Sequence, residues 1–299
     1  MNPLYLSGSL GYTLLVNKQC RIIIFADMHS ELPYCEKNGI FISEWFKNIS
    51  NNFKDTQNYL FLLEEVPRTE IKLKELWPSS PHTQKLKDLY INNSHIIQGI
   101  DIRPFLIPYS WELDSETTLD KPIVNLKEYL NLIDLFFTLN LQFINDDLKH
   151  INTIQFLKNN YLGKHYINLK NKTISFIKIN RNYLHKHINE LININKNILE
   201  EINEIISDIM EWYSIAKIIQ GINENKTSII LHAGLVHTTN IIKLLKKHYG
   251  YTIKEDSGLT DMNDIENNNI NKNNINGCLH LPIYIEKQIT GDNLYGFLS

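Results

Sequence analysis

The chain has 299 residues, with Lys+Arg 30 against Asp+Glu 33 and a formal net charge of −3. That near-neutral balance excludes a protein built chiefly to wrap nucleic acid or coat an anionic membrane, and 43% hydrophobic residues suffice for a sizeable core. The 37 Asn and 45 Ile against 12 Gly match AT-rich codons and an AT-rich source such as a large DNA virus or a protist, so isolated Asn residues carry little weight.

Residues 12–16 and 21–26 are short apolar runs separated by Asn17-Lys18, which predicts an N-terminal hairpin. Ile42, Trp45, Phe46, Ile49 and Phe53 fall at helical spacing over 42–53. Residues 59–66 read as a buried strand stopped by Pro67, and 96–102 as a third strand ending in polar residues. From 123 to 221 the pattern turns helical, first with Leu130, Ile133, Phe136, Phe137 and Leu141, then with Ile198, Ile202, Ile205, Ile209 and Tyr213. Strand character returns at 227–231, followed by a helix over 239–248 and a short strand at 251–254. An Asn-rich stretch over 256–277 predicts a mobile loop before a final strand at 279–285. The expectation is a single α/β domain over 1–299, with a central, mainly parallel sheet flanked by helices and a mostly helical insertion or cap at 123–221.

The longest apolar runs, 21–26 and 228–231, fall far short of the ~20 residues that span a bilayer. The opening residues lack a basic region followed by an unbroken apolar stretch. Cys20, Cys35 and Cys278 are too few and too scattered for a disulfide framework or a cysteine zinc site. They read as buried or incidental thiols in a reducing compartment, so a cytoplasmic location is expected, or host cytoplasm or virion for a viral chain.

Open α/β sheets place their chemistry at the carboxyl ends of strands, and polar residues follow each strand-like run. Asp27-x-His29 leaves the first with a carboxylate and an imidazole that an extended chain turns to one face, where both could reach one divalent ion. The alternative has Asp27 capping a turn and His29 satisfied by a carbonyl. Glu64 and Glu65 follow the second run; neighbours on a strand face opposite ways, so one enters a site, and Glu64 is preferred. Glu65 otherwise caps the segment 69–76. Asp101 and Arg103 end the third run, either as an internal ion pair or as a carboxylate orienting a histidine beside a guanidinium that holds an anion. His232 and His237 sit at a strand-to-helix junction, before Thr238 and Thr239, which are expected to cap the next helix. Backbone N–H groups there favour a developing negative charge.

Together, Ala26-Asp27-Met28-His29, Leu63-Glu64 and Gly234-Leu235-Val236-His237 resemble the G-E-x-H, strand-terminal Glu and G-x-x-H motifs of the superfamily that joins the erythromycin-esterase/ChaN-like proteins to the TraB/Tiki proteins. The stretch 241–250 is similar to that family's following helix and glycine, and the helical insertion at 123–221 has its counterpart. Asp27 stands where the family carries Glu, and Ala26 where it carries Gly. The resemblance implies an α/β fold with a helical cap and a divalent-metal-dependent hydrolase; members range from metal-dependent proteases to macrolide esterases and a haem-binding protein.

The leading expectation is a hydrolase of an ester or peptide bond, acting on a small-molecule or peptide substrate. Asp27, His29, Glu64 and His237 would surround a divalent ion (Mn, Co or Zn). His232 or Glu65 would carry protons, and Glu64, Asp101 and Arg103 would complete the catalytic set. A metallophosphoesterase is a second reading: Asp27-x-His29 fits its D-x-H opening, but no G-D-x-x-D or G-N-H follows. A binding protein that keeps the scaffold is a third.

Overall fold

The computed structural model describes residues 4–28, 34–35, 39–52, 58–65, 81–93, 97–103, 125–127, 130–131, 133, 162–187, 190–191, 194, 196–267 and 275–285. They fall in two units: Met1–Lys74, Pro78–Gly99 and Gly221–Ser299 make one, Glu75–Trp77 and Ile100–Gln220 the other.

In the first unit, runs rich in β-branched and aromatic residues form strands. These are β1 (Leu4–Ser7), β2 (Gly11–Val16), β3 (Arg21–Asp27), β4 (Gly39–Phe41), β5 (Tyr59–Leu63), β6 (Ile97–Gly99), β7 (Ser228–Gly234), β8 (Thr252–Gly258) and β9 (Cys278–Leu281). Six build a mixed sheet in the order β6-β5-β7-β3-β2-β8. The pairings β6-β5, β5-β7 and β7-β3 are parallel, whereas β3-β2 and β2-β8 are antiparallel. Between β2 and β3 the Asn17 side chain accepts the N–H groups of Gln19 and Cys20, both at 2.8 Å. The remaining three strands form a smaller sheet, β4-β1-β9.

Central strands β3 and β7 are buried along nearly their whole length, as strands covered on both faces must be. On one face lie α1 (Ile42–Asn52) and α2 (Pro81–Asn92). Helix α1 points Ile42, Trp45, Phe46 and Ile49 into a core shared with Phe25, Phe61, Leu63 and Ile230. Phe25 meets Trp45 and Phe46 edge-on at 5.3 and 5.5 Å, and Phe46 meets Phe61 at 4.6 Å, geometry that adds about 0.5–1.5 kcal/mol per pair beyond area burial. Helix α5 (Leu235–Tyr249) packs against β3 and β7. The described elements of the second unit are helical: α3 (Leu162–Ile179), a 3-10 turn (Arg181–Tyr183) and most of α4 (Lys196–Asn223). Among the described residues no helix is long and apolar enough to cross a membrane.

Three expectations are corrected here. First, Cys35 and Cys278 are not incidental thiols but a disulfide with Cα atoms 4.8 Å apart. The spacing hides this because β9 lies beside β1 from the far end of the chain. Second, Thr238 and Thr239 do not cap the late helix. Helix α5 spans Leu235–Tyr249, with Gly234 at its N-cap, so both threonines lie inside it. Thr238 donates to the carbonyl of Leu235 at 3.0 Å. The helix ends at Gly250, whose left-handed φ of 67° a side chain would strain. Third, 256–277 is not one loop. Pairing with β2 carries β8 to Gly258, and α6 (Met262–Asn267) follows, its Met262 N–H accepted by the Thr239 hydroxyl at 3.1 Å. Residues 268–274 lie outside the described set.

Candidate functional site

Parallel pairing brings three strand ends to one edge. In register, Asp27 of β3 stands opposite Gly234 of β7, and Leu63 of β5 opposite His232. The chain leaving β5 keeps its ladder for one more residue, since the Glu64 N–H donates to the His232 carbonyl at 3.0 Å. That bond aims the Glu64 side chain at the start of α5. Its Oε2 accepts the Gly234 N–H at 2.5 Å, and its Oε1 lies 3.7 Å from His237 Nε2. The two side chains are only 4% and 10% exposed, so solvent screens this contact little.

Local sequence explains the contact. A glycine at the N-cap brings no side chain of its own to satisfy the helix's first N–H groups. Glu64 supplies an acceptor from a neighbouring strand, and its charge suits the positive end of the α5 dipole. His237 is the third residue of the helix, where a capping box would place its reaching side chain; here the imidazole meets the same carboxylate. Asp27 is fully buried, and its Oδ1 accepts the Met28 N–H at 2.7 Å.

The other named residues make the following contacts. His232 is buried on the face of Ile230, its ring 5.6 Å from Phe46 and edge-on. Glu65 is buried, its N–H donating to the Leu63 carbonyl at 2.7 Å. Asp101 and Arg103, in the second unit, meet each other. Arg103 Nε donates to Asp101 Oδ1 at 2.7 Å and Nη2 to Oδ2 at 2.9 Å, the bidentate geometry that favours arginine over lysine. His29 lies outside the described residues. Sequence reasoning missed the amide of Gly234, which it read only as the glycine of the Gly234-Leu235-Val236-His237 motif. Extending the β-branched strand to the glycine would have exposed it as an N-cap.

A carboxylate holding an imidazole at a helix start can orient a general base and stabilise its protonated form. Glu64 Oε1 and His237 Nε2 are also the oxygen and nitrogen donors that Mn, Co and Zn accept. Among the described residues no group of three His, Cys, Asp or Glu converges as a metal site. No family model, curated protein or solved structure matches the chain.

Proposed function

We propose that the chain is a hydrolase of an ester or peptide bond, of the erythromycin-esterase/ChaN-like and TraB/Tiki type, with its site at the carboxyl edge of β5, β7 and β3. The observation that supports this reading is the Glu64 carboxylate, which touches both the Gly234 N–H and His237 Nε2. His237 takes the proton of the attacking water, and Glu64 fixes the ring and stabilises the imidazolium. The first-turn N–H groups of α5, which lack partners within the helix, face the developing oxyanion.

In an alternative, metal-dependent form Glu64 and His237, with Asp27 and His29 as the further donors, would hold a divalent ion (Mn, Co or Zn), and His232 or Glu65 rather than His237 would take the proton of the water. Bound there, the ion would supply a water of lowered pKa and a Lewis acid for the scissile carbonyl. The half-exposed Cys35–Cys278 bridge favours an oxidising compartment over the reducing cytoplasm.

The test is a panel of ester, peptide and phosphodiester substrates, run alongside metal analysis of the purified chain. Ester or peptide turnover that falls about 10²–10⁴-fold in His237→Ala, with the fold intact, supports the hydrolase. Turnover of phosphodiesters alone would favour the metallophosphoesterase reading. If no substrate turns over, the scaffold serves binding.

A further inference from the structure

The bridge between Cys35 and Cys278 is built into its surroundings. Cys278 pairs in register with Ser7 of β1, and the Ser7 hydroxyl accepts the Cys35 N–H at 3.1 Å. A Cβ at Gly39 would stand 2.4 Å from Cys35 Cβ and 3.0 Å from its Sγ, so only glycine leaves room for the half-cystine. Both cysteines are half-buried, whereas Cys20 is buried.

From this bridge a short chain of contacts leads to the candidate site. Two residues past Ser7, the Ser9 hydroxyl donates to the Ala26 carbonyl at 3.1 Å, and the Leu10 N–H donates to the same carbonyl at 2.9 Å. Ala26 precedes Asp27, and Cys35 closes the segment that begins at Asp27. The corner formed by Ala26, Asp27 and Met28, paired within the main sheet to Gly11, Ala233 and Gly234, is connected to the bridge in addition through the residues that follow β1 and through its own continuing chain. The smaller sheet has other anchors, since Leu6, Leu279 and Leu281 sit in the main core. Opening the bridge therefore leaves the core packing in place.

We propose that the Cys35–Cys278 disulfide is a reversible redox latch on the carboxyl end of β3, released by a small dithiol. One thiolate of the dithiol attacks a bridge sulfur, giving a mixed disulfide and one cysteine thiolate. Its second thiolate displaces the other cysteine, and the reagent leaves as a cyclic disulfide. The two electrons gained reside on Cys35 and Cys278, which take up two protons. With the bridge open, the chain at residue 35 lets go of Ser7, and the Ala26–Met28 corner loosens. Its consequence for catalysis rests on the hydrolase reading, but the latch itself is read without turnover, so the two fail separately.

The experiment is amide hydrogen exchange on the full chain with and without dithiothreitol, combined with thiol counting on the native protein. Expected are two new thiols per chain and exchange about ten-fold or more faster at the Leu10 and Met28 amides. Ile23 should remain protected, and reoxidation should restore the slow state. The double variant Cys35→Ser with Cys278→Ser should match the reduced protein in either buffer. Unchanged exchange at Leu10 and Met28, or failure of the native bridge to reduce, would overturn the proposal. So would a simultaneous rise at all amides or a double variant that does not fold, because the bridge would then be a global staple.

Discussion

Glu64 shows how a single side chain can serve two elements. Its backbone extends the β5–β7 ladder, and its carboxylate satisfies the first amide of α5 while touching His237. Removing the acceptor from a buried N–H costs about 1–3 kcal/mol. Glu64→Ala should therefore lower unfolding free energy by that amount in urea titrations, and Glu64→Gln, which keeps an amide oxygen, by less. The sequence could name the Glu64–Glu65 pair because both follow an apolar run, and alternation required them to part. The ladder register places Glu64, the one preferred from the sequence, beside His237. His232, by the same alternation, stands on the face of Phe46.

At the scale of elements, α1 was readable because Ile42, Trp45, Phe46 and Ile49 lie on one helical stripe. The start of α5 was read too late, at 239 rather than at Leu235. Threonines are good caps in an isolated peptide, but Gly234 is capped by a residue 170 positions earlier in the chain, which no local pattern can reveal. Freed from capping its own helix, Thr239 accepts the Met262 N–H and so starts α6. Thr239→Val should leave α5 intact and destabilise the protein by about 0.5–2 kcal/mol, the usual cost of a lost cap. Faster exchange of the Met262 amide would locate the effect. The same non-locality explains β8: Asp256 and Ser257 carry no strand signal, and only pairing with β2 makes them one.

For the molecule as a whole, several acids are held in their protonated form. Burial pushes the Cys20 thiol up to about 12, against a smaller opposing pull from the Tyr251 hydrogen bond and Arg21. Burial also raises Tyr12, whose hydroxyl donates to Glu255 at 2.5 Å, and Tyr251. Above its ordinary value each group binds more protons folded than unfolded, so stability falls as pH rises. The contribution of Cys20 is complete below its ordinary value of 9.0 and is lost as pH climbs through about 12; the tyrosines begin to add to the loss above 10.0. The urea midpoint should therefore be lower at about pH 11 than at about pH 8, with a smaller drop in Cys20→Ala.

The disulfide was the largest feature hidden from the sequence, since nothing local relates two cysteines separated by 243 positions. That separation has a topological consequence. The bridge closes the stretch from Cys35 to Cys278, including every residue from Ile100 to Gln220, into one covalent ring. A peptide bond broken anywhere inside the ring releases no fragment, so an oxidised chain nicked by a protease keeps both pieces until its sulfurs are parted.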